Sequence, residues 1–256
     1  MMSTDCPASF PSAAAALLRD GTLRAITLDL DDTLWPVGPT LVRAEQVLHD
    51  WLRAQAPATA AAFGVERMLA LRQDVARRRP DLAHDLTALR RITLREALAA
   101  AGDGVHLADP AFEVFFAARQ QVTWYEDVAE ALARLGARFV LYGLTNGNAE
   151  LGPTGLSAHL AGVIGARECG VAKPDARIFQ AACARLGLAP HQVLHVGDDW
   201  ALDVVGARRA GLHSAWVRRP DAAHRPGPAH GRPDDEAPGQ HLTVPDLGRL
   251  ADALGA

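Results

Sequence analysis

The chain has 256 residues, with 26 Lys plus Arg against 30 Asp plus Glu and a formal net charge of −4, which excludes a strongly basic nucleic-acid binder. At 49% hydrophobic and 22% charged it has ordinary globular composition, and at roughly 150 residues per domain its length suits one large domain or two unequal ones. No run of about 18 apolar residues occurs, the stretch from Ala13 to Leu18 is too short for a signal peptide and lacks a basic start, and Cys6, Cys169 and Cys183 lack CxxC spacing; a cytosolic protein with free thiols, without membrane span or structural zinc, is expected.

The segment from Arg24 to Leu30 is an apolar run that ends in acid, Asp29-Leu-Asp-Asp-Thr33, as a buried parallel strand does on entering a loop. From Thr40 to about Gln121 the period turns helical. Leu41, Val42, Ala44, Val47, Leu48, Trp51 and Leu52 share one face behind Thr40 as a candidate cap. Further helices are expected at 65–79, 85–101 and 109–121, the last with Asp109 as N-cap and Pro110 at its first position. After Tyr125, helices at 128–135, 175–186 and 203–210 alternate with strands at 138–144, 162–166, 193–196 and 213–217. That alternation implies an α/β fold with a doubly wound parallel sheet. Residues 219–240, rich in Pro, Gly, His, Arg and Asp, are expected to form a flexible surface loop before a last strand at 242–244 and helix at 246–254. The expected division is an α/β core at 1–37 and 125–256 with an all-helical insertion at 38–124.

Ligands of open α/β sheets bind beyond the carboxyl ends of the strands, so the polar residues there are the candidates. One strand gives Asp29, Asp31, Asp32 and Thr33; a second gives Thr145-Asn-Gly147; a third gives Gly197-Asp-Asp199, with Asp203 four residues on. Asp29 and Asp198 are suited to Mg²⁺, which takes a few carboxylates, waters and a substrate phosphate. Asp29 and Asp31 face one side of an extended segment, which allows one to be a nucleophile while the other moves protons. Thr145 and Lys173 offer the hydroxyl and compact cation that bind phosphate oxygens. Lys173 is the only lysine in the chain, every other basic residue being arginine, which points to a place where a planar guanidinium does not fit.

Asp29-Leu-Asp-Asp-Thr33, Leu144-Thr-Asn146, Lys173-Pro174 and Gly197-Asp-Asp-(three residues)-Asp203 resemble, in order, the four motifs of the haloacid dehalogenase-like (HAD) hydrolase superfamily. The helical insertion is similar in position to that superfamily's cap. The resemblance implies that Asp29 attacks phosphorus to form an aspartyl-phosphate and that Asp31 protonates the leaving oxygen, then activates water. Thr145, Asn146 and Lys173 would hold the phosphoryl group. Mg²⁺ would be bound by Asp29, the carbonyl of Asp31 and Asp198, with Asp199 or Asp203 in support. Because Asp31 is an acid, phosphate is favoured over the haloacid substrates of the eponymous dehalogenases. Within the superfamily the chain resembles bacterial phosphatases of flavin mononucleotide and 5-amino-6-(5-phospho-D-ribitylamino)uracil, in Leu28 to Leu34, Thr145-Asn-Gly-Asn-Ala149 and Leu194-His-Val-Gly-Asp-Asp199, and in the insertion at Arg72-Gln73, Pro80 and His84-Asp-Leu-Thr87.

The expected function is thus a cytoplasmic, Mg²⁺-dependent phosphomonoesterase of a small phosphorylated metabolite, a monomer or homodimer with no nucleic-acid or membrane partner. Alternatives are a sugar-phosphate or phosphoglycolate phosphatase and, further off, a phosphomutase, a non-catalytic phosphometabolite binder or a dehalogenase. His195 is expected in a core or supporting place. Trp35 and Trp200 are positioned to flank a flat ring but are read as packing residues. Arg77-Arg-Arg79 and Arg90-Arg91 are read as solvated faces, and His224, His230 and His241 as no metal site.

Overall fold

The computed structural model describes residues 21–219 and 241–256. Cys6, the stretch from Ala13 to Leu18, His224, His230 and the expected loop from residue 220 to 240 lie outside the described residues.

Six strands form one sheet: β1 (Ala25–Leu28), β2 (Val140–Thr145), β3 (Val163–Gly165), β4 (Val193–Gly197), β5 (His213–Val217) and β6 (Leu242–Val244). Their order is β3-β2-β1-β4-β5-β6 and every pairing is parallel. From β1 the chain builds outward through β2 and β3, then returns to the other side for β4, β5 and β6. The switch point of this doubly wound sheet therefore falls between β1 and β4, where such sheets place their ligands. All four residues of β1 are buried, as a central strand covered on both faces requires.

Between β1 and β2 lie α1 (Val37–Gln55), α2 (Pro57–Ala62), α3 (Val65–Arg78), α4 (Leu86–Ala101) and α5 (Ala108–Arg119). They bury an apolar core of their own, including Leu48, Leu52, Phe63, Met68, Leu94, Leu98, Phe112 and Phe115. Asp85 caps α4 by accepting from Ala88 N–H at 2.9 Å, and Gly102 ends it at φ +82°, a conformation that a side chain resists. After the block come α6 (Val128–Gly136), α7 (Ala166–Cys169), α8 (Ala176–Leu186), α9 (Gly206–Arg209) and α10 (Leu247–Ala253). On one face of the sheet, α6 and α10 pack on Ile26, Leu28 and Leu141; on the other, α8 and α9 pack on Ala25, Leu144 and Ile164. No helix among the described residues is long and apolar enough to cross a membrane.

Several local expectations are corrected. α1 starts at Val37 rather than behind Thr40, because Pro36 presets the entry and the Thr40 hydroxyl donates to the Pro36 carbonyl from inside the first turn. Asp109 is likewise inside α5 and not its N-cap. The six-residue α2 had no periodic signal, being Ala-rich after Pro57. The helix expected at 203–210 begins earlier, as a widened π-type turn over Trp200–Val205 that runs into α9.

Candidate active site

Asp29 immediately follows β1, and its N–H still reaches across to Val196 O of β4 at 2.8 Å. Asp198 immediately follows β4, so the two carboxylates flank the switch point. Asp203 joins them from the widened turn: one oxygen from each of Asp29, Asp198 and Asp203 lies within 4.8 Å of the others. Asp32 adopts φ +62°, an uncommon conformation best tolerated by Asn and Asp, and turns the chain so that its side chain accepts from Val37 N–H at 2.9 Å. The acidic loop is thereby fed straight into α1.

Lys173 is buried at the centre. Its Nζ donates to Asp29 Oδ1 at 2.6 Å and to Asp203 Oδ1 at 2.7 Å. Asn146 holds the backbone of Lys173 from both sides, its Nδ2 donating to Lys173 O at 3.0 Å and its Oδ1 accepting from Lys173 N–H at 2.8 Å. The Asn146 side chain therefore acts on the lysine loop. Asp203 also accepts from Asp199 N–H at 2.9 Å and lies 3.1 Å from His195 Nε2. Burial lowers the pKa of His195; the neutral ring then donates from Nε2 to Asp203 while Nδ1 accepts the Thr27 hydroxyl at 2.9 Å. His195 is thus a buried supporting residue, as expected. Of the two later aspartates, Asp203 takes the inner place, and Asp199 caps the next turn through Ala201 and Leu202 N–H, each at 2.9 Å.

The charges do not balance. Burial opposes ionisation of Asp203, yet Lys173 and His195 outweigh it and hold the carboxyl well below its usual range. Burial likewise opposes the Lys173 ammonium, and Asp203 and Asp29 keep it protonated. Asp29 fares differently: burial, with Asp203 and Asp31 nearby, pushes it up to about 7 despite Lys173. Burial and the charges of Asp29 and Asp203 push Asp198 up to about 8. Two carboxylates within 4.8 Å of each other repel by about 3 kcal/mol or more at an effective dielectric constant near 20, and here three of them lie beside one ammonium, which bonds Asp29 and Asp203. A divalent cation among these hard oxygen donors turns that repulsion into attraction, so the donor set fits Mg²⁺.

The remaining residues surround this centre. Thr33 donates to Asp198 Oδ1 at 3.1 Å and lies 3.5 Å from Asp29 Oδ2. Thr145, buried at the end of β2, accepts from Gly147 N–H at 2.9 Å and keeps its own hydroxyl hydrogen to offer. Asp31 accepts from Trp35 Nε1 at 2.8 Å and from Arg119 Nη2 at 2.6 Å. Trp35 is fully buried, packing in the core while its Nε1 holds Asp31, and Trp200 packs on Trp216 and His241. Arg77 and Arg78 are exposed and Arg79 half-buried, and they pair with Asp74, Glu96 and Asp81. Arg90 departs from the solvated reading: it is buried, 2.8 Å from Glu45 and over the Phe115 ring at 3.4 Å, because the block's core needs a flat cation that satisfies both.

Arg119 and Asn148, which accepts from Arg119 Nε at 2.9 Å, were not foreseen. Arg119 sits in an apolar helical pattern 88 residues from Asp31, and only the fold shows the pair. Thr33 stood in the acidic run without an assigned role.

Comparison with known proteins places this arrangement. The profile of the haloacid dehalogenase-like hydrolases matches residues 23–211. The chain is 31% identical over 205 residues to 5-amino-6-(5-phospho-D-ribitylamino)uracil phosphatase YigB of Escherichia coli K12, covering 77% of this chain and 84% of that one. It is 36% identical over 168 residues to a phosphoserine phosphatase of Thermus thermophilus, covering 62% and 64% of the two chains. A crystal structure of a 2-haloacid dehalogenase from Pseudomonas syringae pv. Tomato DC3000 matches with a TM-score of 0.78 at 34% identity, over 91% of this chain and 98% of that one. With four motifs meeting at the sheet's switch point and a family profile spanning residues 23–211, the chain belongs to the haloacid dehalogenase-like hydrolases.

Proposed function

We propose that the protein is a Mg²⁺-dependent phosphomonoesterase that works through an aspartyl-phosphate on Asp29. The observation that carries this reading is the cluster itself: Asp29, Asp198 and Asp203 gathered around the single ammonium of Lys173, with Asp31 two residues from the nucleophile. Asp29, Asp198 and the carbonyl of Asp31 would hold Mg²⁺, with Asp203 in support. When bound, the ion neutralises charge on the phosphoryl group and on the carboxylates.

In the first step an Asp29 carboxylate oxygen attacks phosphorus and the bond from phosphorus to the ester oxygen breaks. Asp31 gives its proton to that oxygen, so the leaving group departs as an alcohol. In the second step water attacks the same phosphorus, Asp31 takes the water's proton, and the acyl-phosphate bond breaks to free Asp29 and inorganic phosphate. Lys173 and Thr145 hold phosphoryl oxygens through both steps, and Asn146 keeps Lys173 in place.

We further assign the block at 38–124 as a cap over a core formed by 1–37 and 125–256; its separate apolar core and its place between β1 and β2 support this. The substrate assigned is flavin mononucleotide or 5-amino-6-(5-phospho-D-ribitylamino)uracil, the second supported by the likeness to YigB. The setting assigned is cytoplasmic, with the protein a monomer or homodimer acting without nucleic acid. The likeness to a 2-haloacid dehalogenase keeps a second reading in view. The test is phosphate release from the flavin-related pair, phosphoglycolate, phosphoserine and sugar phosphates, with Mg²⁺ and with chelator. Mg²⁺-dependent release led by the flavin-related pair supports the reading; a flat profile removes the substrate, and chelator-resistant halide release from 2-haloacids replaces the chemistry.

A further inference from the structure

Arg119, the last residue of α5, crosses from the helical block to the acidic loop, and on the phosphatase reading above we infer that it is a positioning residue that aims Asp31 at the leaving oxygen. Its Nη2 donates to Asp31 Oδ2 at 2.6 Å, while Trp35 Nε1 donates to Asp31 Oδ1 at 2.8 Å. With one donor on each oxygen, the carboxyl cannot rotate without breaking a bond. Proton transfer requires the acid within hydrogen-bond reach of the ester oxygen, so this orientation bears directly on the chemistry.

The arginine is itself held. Its Nε donates to Asn148 Oδ1 at 2.9 Å, and Asn148 Nδ2 reaches Thr87 Oγ1 of α4 at 3.3 Å. The next residue, Gln120, donates to Asn148 O at 3.2 Å and accepts from Glu150 N–H at 2.9 Å. The loop after β2 is thus laced to the end of α5. Gly147 leaves the space: a Cβ there would come 2.6 Å from Asp31 Oδ2 and 3.2 Å from Arg119 Nη2.

A structural staple between block and core would not be built this way. Arg119 is 2% exposed, and its Nη1 is buried with no hydrogen-bond partner among the described residues. Burying a cation with an unmet donor is a poor source of stability, since an apolar side chain of similar volume does as well or better. What the arginine supplies that an apolar side chain cannot is a fixed direction for the Asp31 carboxyl, delivered from the block that would close over substrate.

The test compares two esters. An aryl phosphate such as p-nitrophenyl phosphate has a leaving group that departs without a proton, whereas an alkyl phosphate needs one. Because kcat/KM reports steps only through departure of the leaving group, Arg119→Met should lower it about 100-fold for the alkyl ester and less than about 10-fold for the aryl ester, with Arg119→Lys intermediate. Trp35→Phe, which removes the other hydrogen bond on Asp31, should show the same selectivity and carries the test should Arg119→Met fail to fold. Equal losses on both esters, or none, overturn the inference alone. Wild-type protein that hydrolyses neither ester overturns the phosphatase reading and this inference with it.

Discussion

Gly197 ends β4 so close to Asp203 that the smallest side chain would disturb the site. A Cβ at that position would lie 2.2 Å from both Cγ and Oδ2 of Asp203, short of ordinary contact by about 1.2 Å. Asp203 has nowhere to retreat without loss, because Lys173 Nζ holds it at 2.7 Å, His195 Nε2 lies at 3.1 Å and Asp199 N–H donates at 2.9 Å. A shift of that size breaks one or more of these bonds in a buried setting. Breaking a buried ion pair costs about 3–5 kcal/mol, and backbone relaxation reduces this, so Gly197→Ala should destabilise by about 2–4 kcal/mol in urea denaturation. Turnover should fall about 100-fold, since Lys173 is then steered by Asp29 alone and a misplacement near 1 Å has that effect. Asp203→Asn keeps the volume and removes the charge. Combined with Gly197→Ala it should be non-additive by more than about 1 kcal/mol, because both changes act on the same contact. Wild-type stability and turnover in Gly197→Ala, or full additivity in the double variant, would show that Asp203 does not depend on the space left by Gly197.

Three further outcomes follow from the same charges. In metal-free protein, Asp29 and Asp198 bind protons more tightly when folded than unfolded, so their ionisation lowers stability as pH rises from about 4 through about 7 to 8. Mg²⁺ must displace those protons at pH 6 and not at higher pH, so its stabilising shift in Tm should be larger at pH 8 than at pH 6; an equal or smaller shift at pH 8 contradicts the assignment. Lys173→Arg should cut kcat by about 100- to 1,000-fold, since one nitrogen fits between oxygens at 2.6 and 2.7 Å where a planar guanidinium does not, and phosphate release near the wild-type rate would reject the argument from this sole lysine. Chelator should abolish phosphate release, with recovery on adding Mg²⁺ and not Ca²⁺, whose larger, flexible coordination suits the site less; undiminished release in chelator would remove the metal from the account.

The legibility of the sequence tracked how local the physical cause was. β1, β2 and β4 could be read because a strand buried on both faces is a short apolar run, and each here stops at a polar burst. The pairing of Asp29 with Asp198 followed from that pattern together with strand topology. Thr40 was misread because a hydroxyl ahead of an apolar stripe suits a cap and an interior turn equally, and the proline that starts α1 four residues earlier carries no periodicity. α2 escaped because alanines make a helix without a stripe. Asp199 and Asp203 have the same side chain, and only the widened turn after β4, with Gly197 opposite, sends one inward and leaves the other as a cap. Arg90 and Arg119 were the least legible. Their burial depends on Glu45 and Asp31, partners 45 and 88 residues away.

Everything rests on Asp29 as the nucleophile of a phosphoryl transfer. The most direct measurement is rapid acid quench of the protein turning over a phosphomonoester with Mg²⁺, followed by mass analysis of the peptide that carries Asp29. One added phosphoryl group on Asp29, cleaved by hydroxylamine, is expected, with neither label nor turnover in a folded Asp29→Asn variant. Sustained phosphate release by Asp29→Asn, or a phosphoryl group trapped on another residue, would contradict it.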